Sequence, residues 1–281
     1  MNRLEAAFKN KPIFMPYFPL GYPDLATSID VIEALAKNGA DLIEVGLSFS
    51  DPLADGPVIQ HATQIALEKG ITIRKSLEAV SELRNRGVDI PLVVMGYYNP
   101  MLAYGLEKFV CTAIDAGVDG FIIPDLPPEE SDEFQSALRG AVGEVEAEVH
   151  NINRPSTALR SAQDGRLPLI QMLAPTTPNA RMEMIARNAK GFIYLVSVTG
   201  VTGERKSISE GLAELIARVR EHTSVPVCVG FGISTPEQAR QVGTLADGVI
   251  VGSTCVKAIG GRENAVDTAK EFARSFKAAL R

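Results

Sequence analysis

Cysteine and histidine are scarce in this chain, with three of each among 281 residues. Cys111, Cys228 and Cys255 lie far apart and form no Cys-x-x-Cys pair. Each sits in an apolar or helical stretch, which predicts buried reduced thiols rather than disulfides or zinc ligands. His61, His150 and His222 show no His-x-x-x-His spacing and no neighbouring cysteine pair, so a histidine-based metal site is not expected. A basic excess is missing too. The net charge is −6, whereas a general nucleic-acid binder needs a basic face to neutralise phosphates. A small phosphorylated ligand stays admissible, because backbone N–H groups and helix N-termini hold phosphate without lysine or arginine. The opening residues MNRLEAAFKNK lack a signal-type apolar core, and no apolar run is long enough to span a bilayer. The expectation is a soluble cytoplasmic protein.

What is present is the balance of a folded chain, 46% hydrophobic and 22% charged. The length is near the roughly 250 residues of one (β/α)₈ barrel, and one or two ordinary domains also fit it. Short apolar runs alternate with amphipathic stretches throughout. Strands are expected at Ile13–Pro19, Asp41–Gly46, Leu92–Tyr98, Gly120–Pro124, Leu169–Leu173, Phe192–Val196, Val227–Gly230 and Gly248–Val251. Most are continuously apolar, as parallel strands covered on both faces are. Helices are expected at Leu25–Asn38, Ile73–Arg86, Leu106–Ala116, Glu129–Arg139, Ala180–Asn188, Leu212–Glu221 and Glu237–Val242. A final helix spans Glu263–Leu280, and Met1–Asn10 reads as a short helix capping the barrel floor. Eight strands, each followed by a helix, predict a single-domain α/β chain, a TIM-type barrel over residues 1–281. A doubly wound sheet would need a Gly-x-Gly-x-x-Gly turn after the first strand, and Pro19-Leu-Gly-Tyr-Pro23 is not one.

Residues 141–166 break the rhythm. Such connections usually take about 2–6 residues. The stretch therefore reads as an insertion between the fourth helix and the fifth strand, at the barrel floor and without a part in catalysis.

In a barrel, chemistry sits at the C-terminal strand ends and the loops after them. Glu44 lies in the second apolar strand, where alternation can turn it into the core. A carboxyl group there is costly to ionise, which suits a general acid or base. A structural glutamate paired to a buried arginine is the competing reading. Asp51 and Asp55 follow in a Pro- and Gly-rich loop, where each alone would pass as a turn former. Together, a strand-end glutamate and a loop aspartate can face one substrate from two sides. Thr199-Gly200 and Thr202-Gly203, after the sixth strand, suit either a mobile lid or a plain surface loop. Gly230-Phe231-Gly232-Ile-Ser234 and Gly252-Ser253-Thr254 follow strands seven and eight, where such barrels hold phosphate.

Glu44-Val-Gly46, the nine-residue Phe49–Pro57 block, Gln60 and the loops just named closely resemble the tryptophan synthase alpha subunit family. The similarity runs over nearly the whole chain, with Ser48 standing where that family usually has proline. The resemblance implies a lyase that splits indole-3-glycerol phosphate into indole and glyceraldehyde 3-phosphate. It implies Glu44 as proton shuttle and Asp55 as the partner of the indole N–H. Tyr17, Met95, Tyr194 and Phe231 would shape the substrate pocket, although core packing explains such residues equally well. Gly203, Gly232, Gly252 and Ser253 would bind phosphate, and Asp51 with Thr202 would close the lid. No metal or cofactor is implied in this chain. The implied partner is a pyridoxal-phosphate-carrying beta subunit, in an alpha-beta-beta-alpha heterotetramer. It would meet the Asp51–Pro57 loop, the Tyr98-Asn99-Pro100 region and Pro127-Pro128. Competing readings are a free-standing lyase of the same chemistry, another phosphate-binding barrel enzyme, and a non-catalytic scaffold barrel.

Overall fold

Apolar runs too short to span much of a domain alone become stable when each is covered by side chains inside and helices outside. A computed structural model describes residues 2–149, 167–196, 208–230 and 232–281, apart from the side chains of 142–149 and 208–210. Eight parallel strands close into a barrel in chain order. They are β1 (Ile13–Pro19), β2 (Ile43–Gly46), β3 (Leu92–Met95), β4 (Gly120–Ile122), β5 (Leu169–Leu173), β6 (Ile193–Val196), β7 (Val227–Gly230) and β8 (Gly248–Val251). The described helices are α1 (Arg3–Ala7), α2 (Leu25–Lys37), α3 (Pro57–Glu68), α4 (Ile73–Asn85), α5 (Tyr98–Tyr104) and α6 (Leu106–Ala116). They continue with α7 (Asp132–Val149), α8 (Asn179–Asn188), α9 (Ile208–Arg220), α10 (Pro236–Gly243), α11 (Ser253–Ile259) and α12 (Ala265–Ala279). The expected barrel is the observed one.

Local signals set the helix ends. The Asp24 side chain accepts the Thr27 N–H ahead of α2, and Thr72 and Thr235 do the same for Lys75 and Gln238. Gly117 closes α6 in the left-handed region, φ 88°.

Three expectations need correction. The third strand ends at Met95, not Tyr98, and α5 begins at Tyr98. Tyr97 and Tyr98 favour strands by type, but the Asp125 carboxylate accepts the Tyr98 N–H at 3.0 and 3.2 Å. Pro100 then falls in the first helical turn, where proline is tolerated. The helix expected at Glu129–Arg139 starts as a 3₁₀ turn at Pro128–Glu130 and continues as α7 to Val149. Residues 141–149 of the expected insertion are therefore helix, and residues 150–166 lie outside those described. The short helices α3, α5 and α11 were not expected at all.

The floor of the barrel is tied by buried or half-buried carboxylates. Asp41 accepts the β1 N–H of Phe14 at 2.7 Å and pairs with Lys277. Asp119 accepts the β3 N–H of Leu92 at 2.9 Å and pairs with Arg84 and Arg3. Asp247 accepts the β7 N–H of Val227 at 2.9 Å and pairs with Lys11 and Arg220. Each aspartate immediately precedes a strand and grips the strand before it. The register puts Gly191 opposite Leu169, the equivalent place for β5. A glycine at φ 71°, hemmed by Leu4, Ile170 and Pro168, stands there. Leu4 belongs to α1, and Phe8 just beyond packs on Phe192 with ring centroids 5.9 Å apart. So α1 caps the floor, as expected.

Removing Asp119 strands two guanidinium groups and a backbone N–H. Asp119→Ala should cost about 3–5 kcal/mol in urea unfolding. Asp247→Ala should cost less, because Lys11 and Arg220 are each more than two-fifths exposed and find water instead. Equal losses would contradict this account of the floor.

Candidate active site

Side-chain alternation along β2 sends Ile43 and Val45 outward and Glu44 inward. Its register neighbour on β1 is Tyr17. Both open on a cavity of about 250 Å³ at the C-terminal end of the barrel. Tyr17, Glu44, Met95, Ile122, Met172, Tyr194 and Ile250 line it, one from each strand except β7. Asp55, Gly56 and Ile59 also line it, as do Gly232, Ile233, Gly252 and Ser253 from the loops after β7 and β8. Glu44 is 5% exposed. Burial, and then the charge of Asp55, push its carboxyl pKa up to about 8.

Asp55 reaches the cavity from the loop after β2. That loop folds on itself, with Leu53 N–H on the Asp51 carbonyl at 2.9 Å and Asp55 N–H on Pro52 at 3.0 Å. Gln60 of α3 donates to the Asp55 carbonyl at 2.8 Å. Gly56 caps α3 and Pro57 starts it, where a missing N–H costs nothing. Burial raises the Asp55 pKa to about 6, while a hydrogen bond from the Tyr97 hydroxyl, 3.1 Å away, works against that rise. The charge states therefore separate. Between those two values Glu44 holds its proton and Asp55 is ionised.

Two glycines make room for two tyrosines. A Cβ on Gly46 would fall 2.2 Å from the Tyr17 hydroxyl, and one on Gly230 would fall 2.4 Å from that of Tyr194. Each phenol lies across the end of the next strand, so the glycine there is a packing demand. Gly232 has φ 78°, and the Thr254 hydroxyl donates to the Ile233 carbonyl at 3.1 Å. That bond joins the loops after β7 and β8.

The family model described as tryptophan synthase alpha chain matches residues 4–146 and 152–281. The chain belongs to the tryptophan synthase alpha chain family. It is 46% identical over 254 residues to the tryptophan synthase alpha chain of Chloroflexus aurantiacus, covering 90% of this chain and 86% of that one. It is 39% identical to the tryptophan synthase of Saccharomyces cerevisiae over 97% of this chain, but only 36% of the yeast protein. The solved tryptophan synthase of M. tuberculosis in its aminoacrylate-bound form superposes with a TM-score of 0.81 at 31% identity, covering all of both chains. As a tryptophan synthase alpha chain family member it is an enzyme subunit, with the alpha role in tryptophan biosynthesis. Residues 147–151 are the part within 4–281 that the family model leaves unmatched, a narrower gap than the 141–166 expected from connection lengths.

For a tryptophan synthase alpha chain family member, the expected site residues sort as follows. Glu44, Asp55, Tyr17, Met95, Tyr194, Gly232, Gly252 and Ser253 share the one cavity. Asp51 lies on the exposed loop, accepting from the Ser50 hydroxyl at 2.9 Å. Thr202, Gly203 and Phe231 lie outside the described residues. The competing reading of Glu44 called for a buried arginine, and Arg84 pairs with Asp119 instead. Among the described residues no group of three His, Cys, Asp or Glu could hold a metal ion, and no helix is long and apolar enough to cross a membrane. Sequence reasoning missed Ile122, Met172 and Ile250, which only the register brings to the cavity. It also missed Tyr97, whose place just past a strand end was the available signal.

Two outcomes test this packing. Gly46→Ala should destabilise by about 1–3 kcal/mol through overpacking, and Tyr17→Leu should recover part of that loss in the double variant. Ser48 carries a buried hydroxyl with no hydrogen-bond partner among the described residues. Ser48→Ala should therefore raise stability by about 1 kcal/mol, seen as a higher Tm; a fall would place an unseen partner on that oxygen.

Proposed function

We propose that this site cleaves indole-3-glycerol phosphate to indole and glyceraldehyde 3-phosphate by a retro-aldol step. The bond between ring carbon C3 and the side chain breaks only when the ring takes up the bonding electrons. Protonated Glu44 supplies a proton to C3 and turns the ring into that electron sink. The Glu44 carboxylate left behind takes the proton of the neighbouring side-chain hydroxyl. The carbon–carbon bond then opens, its electrons return to the ring, and the hydroxyl carbon becomes the aldehyde. Glu44 ends as it began. Ionised Asp55 accepts from the indole N–H and stabilises the positive charge that gathers on that nitrogen.

The observation that carries this reading is that Glu44 and Asp55 line one cavity, the deeper carboxyl group pushed up further than the shallower one. The apolar lining of Met95, Ile122, Met172 and Ile250 suits a flat ring, with Tyr17 and Tyr194 as further walls. Main-chain N–H groups of Gly203, Gly232, Gly252 and Ser253 would take the phosphate, and Asp51 with Thr202 would hold the lid. Proton transfers between one carboxyl group and the substrate, with a second carboxylate stabilising charge, call for no metal or organic cofactor in this chain.

A beta-subunit partner carrying pyridoxal phosphate, in an alpha-beta-beta-alpha assembly, completes the reading. Leu53 is 91% exposed on the Asp55 loop and Leu102 is 42% exposed on α5, an apolar pair beside the cavity mouth. Such residues are costly to leave in water and fit a docking face. In the yeast relative the matched region is about a third of one larger polypeptide, which fits an alpha region that works joined to the rest. A cytoplasmic setting goes with this role, since thiols such as Cys111, Cys228 and Cys255 stay reduced there.

The test is indole release by purified protein, with and without a beta subunit. The rate should follow a bell, falling below about pH 6 as Asp55 gains a proton and above about pH 8 as Glu44 loses one. Glu44→Gln should keep the fold and lose turnover by at least about a thousandfold. A variant as active as the unmutated protein would exclude Glu44 as the shuttle, and full activity without the partner would favour a free-standing lyase.

A further inference from the structure

Asp55 sits in a stretch of loop with no regular structure to aim it, yet its position decides where the second charge of the site lies. Tyr97 stands behind it. It is 3% exposed, two residues past the end of β3, and its ring lies 5.4 Å from that of Phe49 at 37°. Its hydroxyl oxygen accepts the Ala54 N–H at 3.0 Å and lies 3.1 Å from Asp55 Oδ2. A phenol has one proton to give. With the Ala54 amide donating into the oxygen, that proton is directed at Asp55, which must then act as acceptor.

We propose that Tyr97 is a positioning residue: its hydroxyl holds Asp55 ionised and turned toward the cavity, while its ring anchors the start of the same loop through Phe49. This rests on the reaction proposed above and adds to it the group that sets the charge state of Asp55. Among the described residues, the other groups facing Asp55 are Glu44 from β2, Tyr17 from β1 and Tyr194 from β6. None of them offers Asp55 a cation. Tyr97 also feels Asp125 from the loop after β4, a second negative charge that keeps the phenol protonated and able to donate. Burial works in the same direction.

The experiment is a carboxyl ¹³C NMR titration of Asp55 in the whole protein, unmutated and as Tyr97→Phe, a change that leaves the ring on Phe49. Loss of a hydrogen bond to the charged form should tighten proton binding at Asp55 about tenfold. The acid flank of the indole-release profile should move to higher pH by the same factor, with the alkaline flank of Glu44 in place. An unmoved Asp55 midpoint, with the rate lowered equally at every pH, would overturn the proposal. In the unmutated protein the labelled Tyr97 Cζ signal should follow the Asp55 titration, and a silent Cζ would overturn it without recourse to any variant. Should the unmutated protein release no indole, the proposed reaction fails, and the two NMR readouts still decide Tyr97.

Discussion

Two carboxyl groups open on one poorly hydrated cavity, and everything at the mouth of this barrel follows from the difficulty of charging both. Removing a carboxylate from water is costly, and a like charge nearby adds to that cost. The deeper group, Glu44, keeps its proton, and the shallower one, Asp55, gives it up. A hydrogen-bond donor from outside the cavity reinforces the difference. A neutral acid and an anion thus arise from two chemically similar side chains through their surroundings.

Placement is the work of the fold. A strand gives Glu44 a fixed direction, because its neighbours Ile43 and Val45 are locked into the outer layer. Asp55 has no such frame and depends on Gln60, on the turn through Pro52, and on Tyr97. Rigidity at the opposite end comes from other carboxylates. Asp41, Asp119 and Asp247 each meet a cation and a backbone N–H. The same residue type therefore meets cations at the floor and, as Asp55, opens on the cavity at the mouth.

Much of this was legible in the chain. Seven of the eight strands begin and end within two residues of the expected bounds, and four match them, because continuous apolar runs leave little choice. Glu44 stood out as a charge inside such a run, and the glycine-rich turns marked the loops after β7 and β8. What could not be read depends on partners distant in sequence. The Asp125 carboxylate that starts α5 is 27 residues from Tyr98, and Tyr97 meets Asp55 across 42. Gly46 read as a strand end and Gly230 as part of a phosphate-holding turn, whereas their smallness is imposed by phenol rings from adjoining strands.

The floor has one irregular quarter. Strands β1, β3 and β7 are each stapled by an aspartate, while the place facing β5 is held by Gly191, which has no side chain to offer. A ring fastened at three quarters has a preferred seam. Strain on the barrel, thermal or mechanical, would part it first along β5, while the half that carries Glu44 and Asp55 stayed closed.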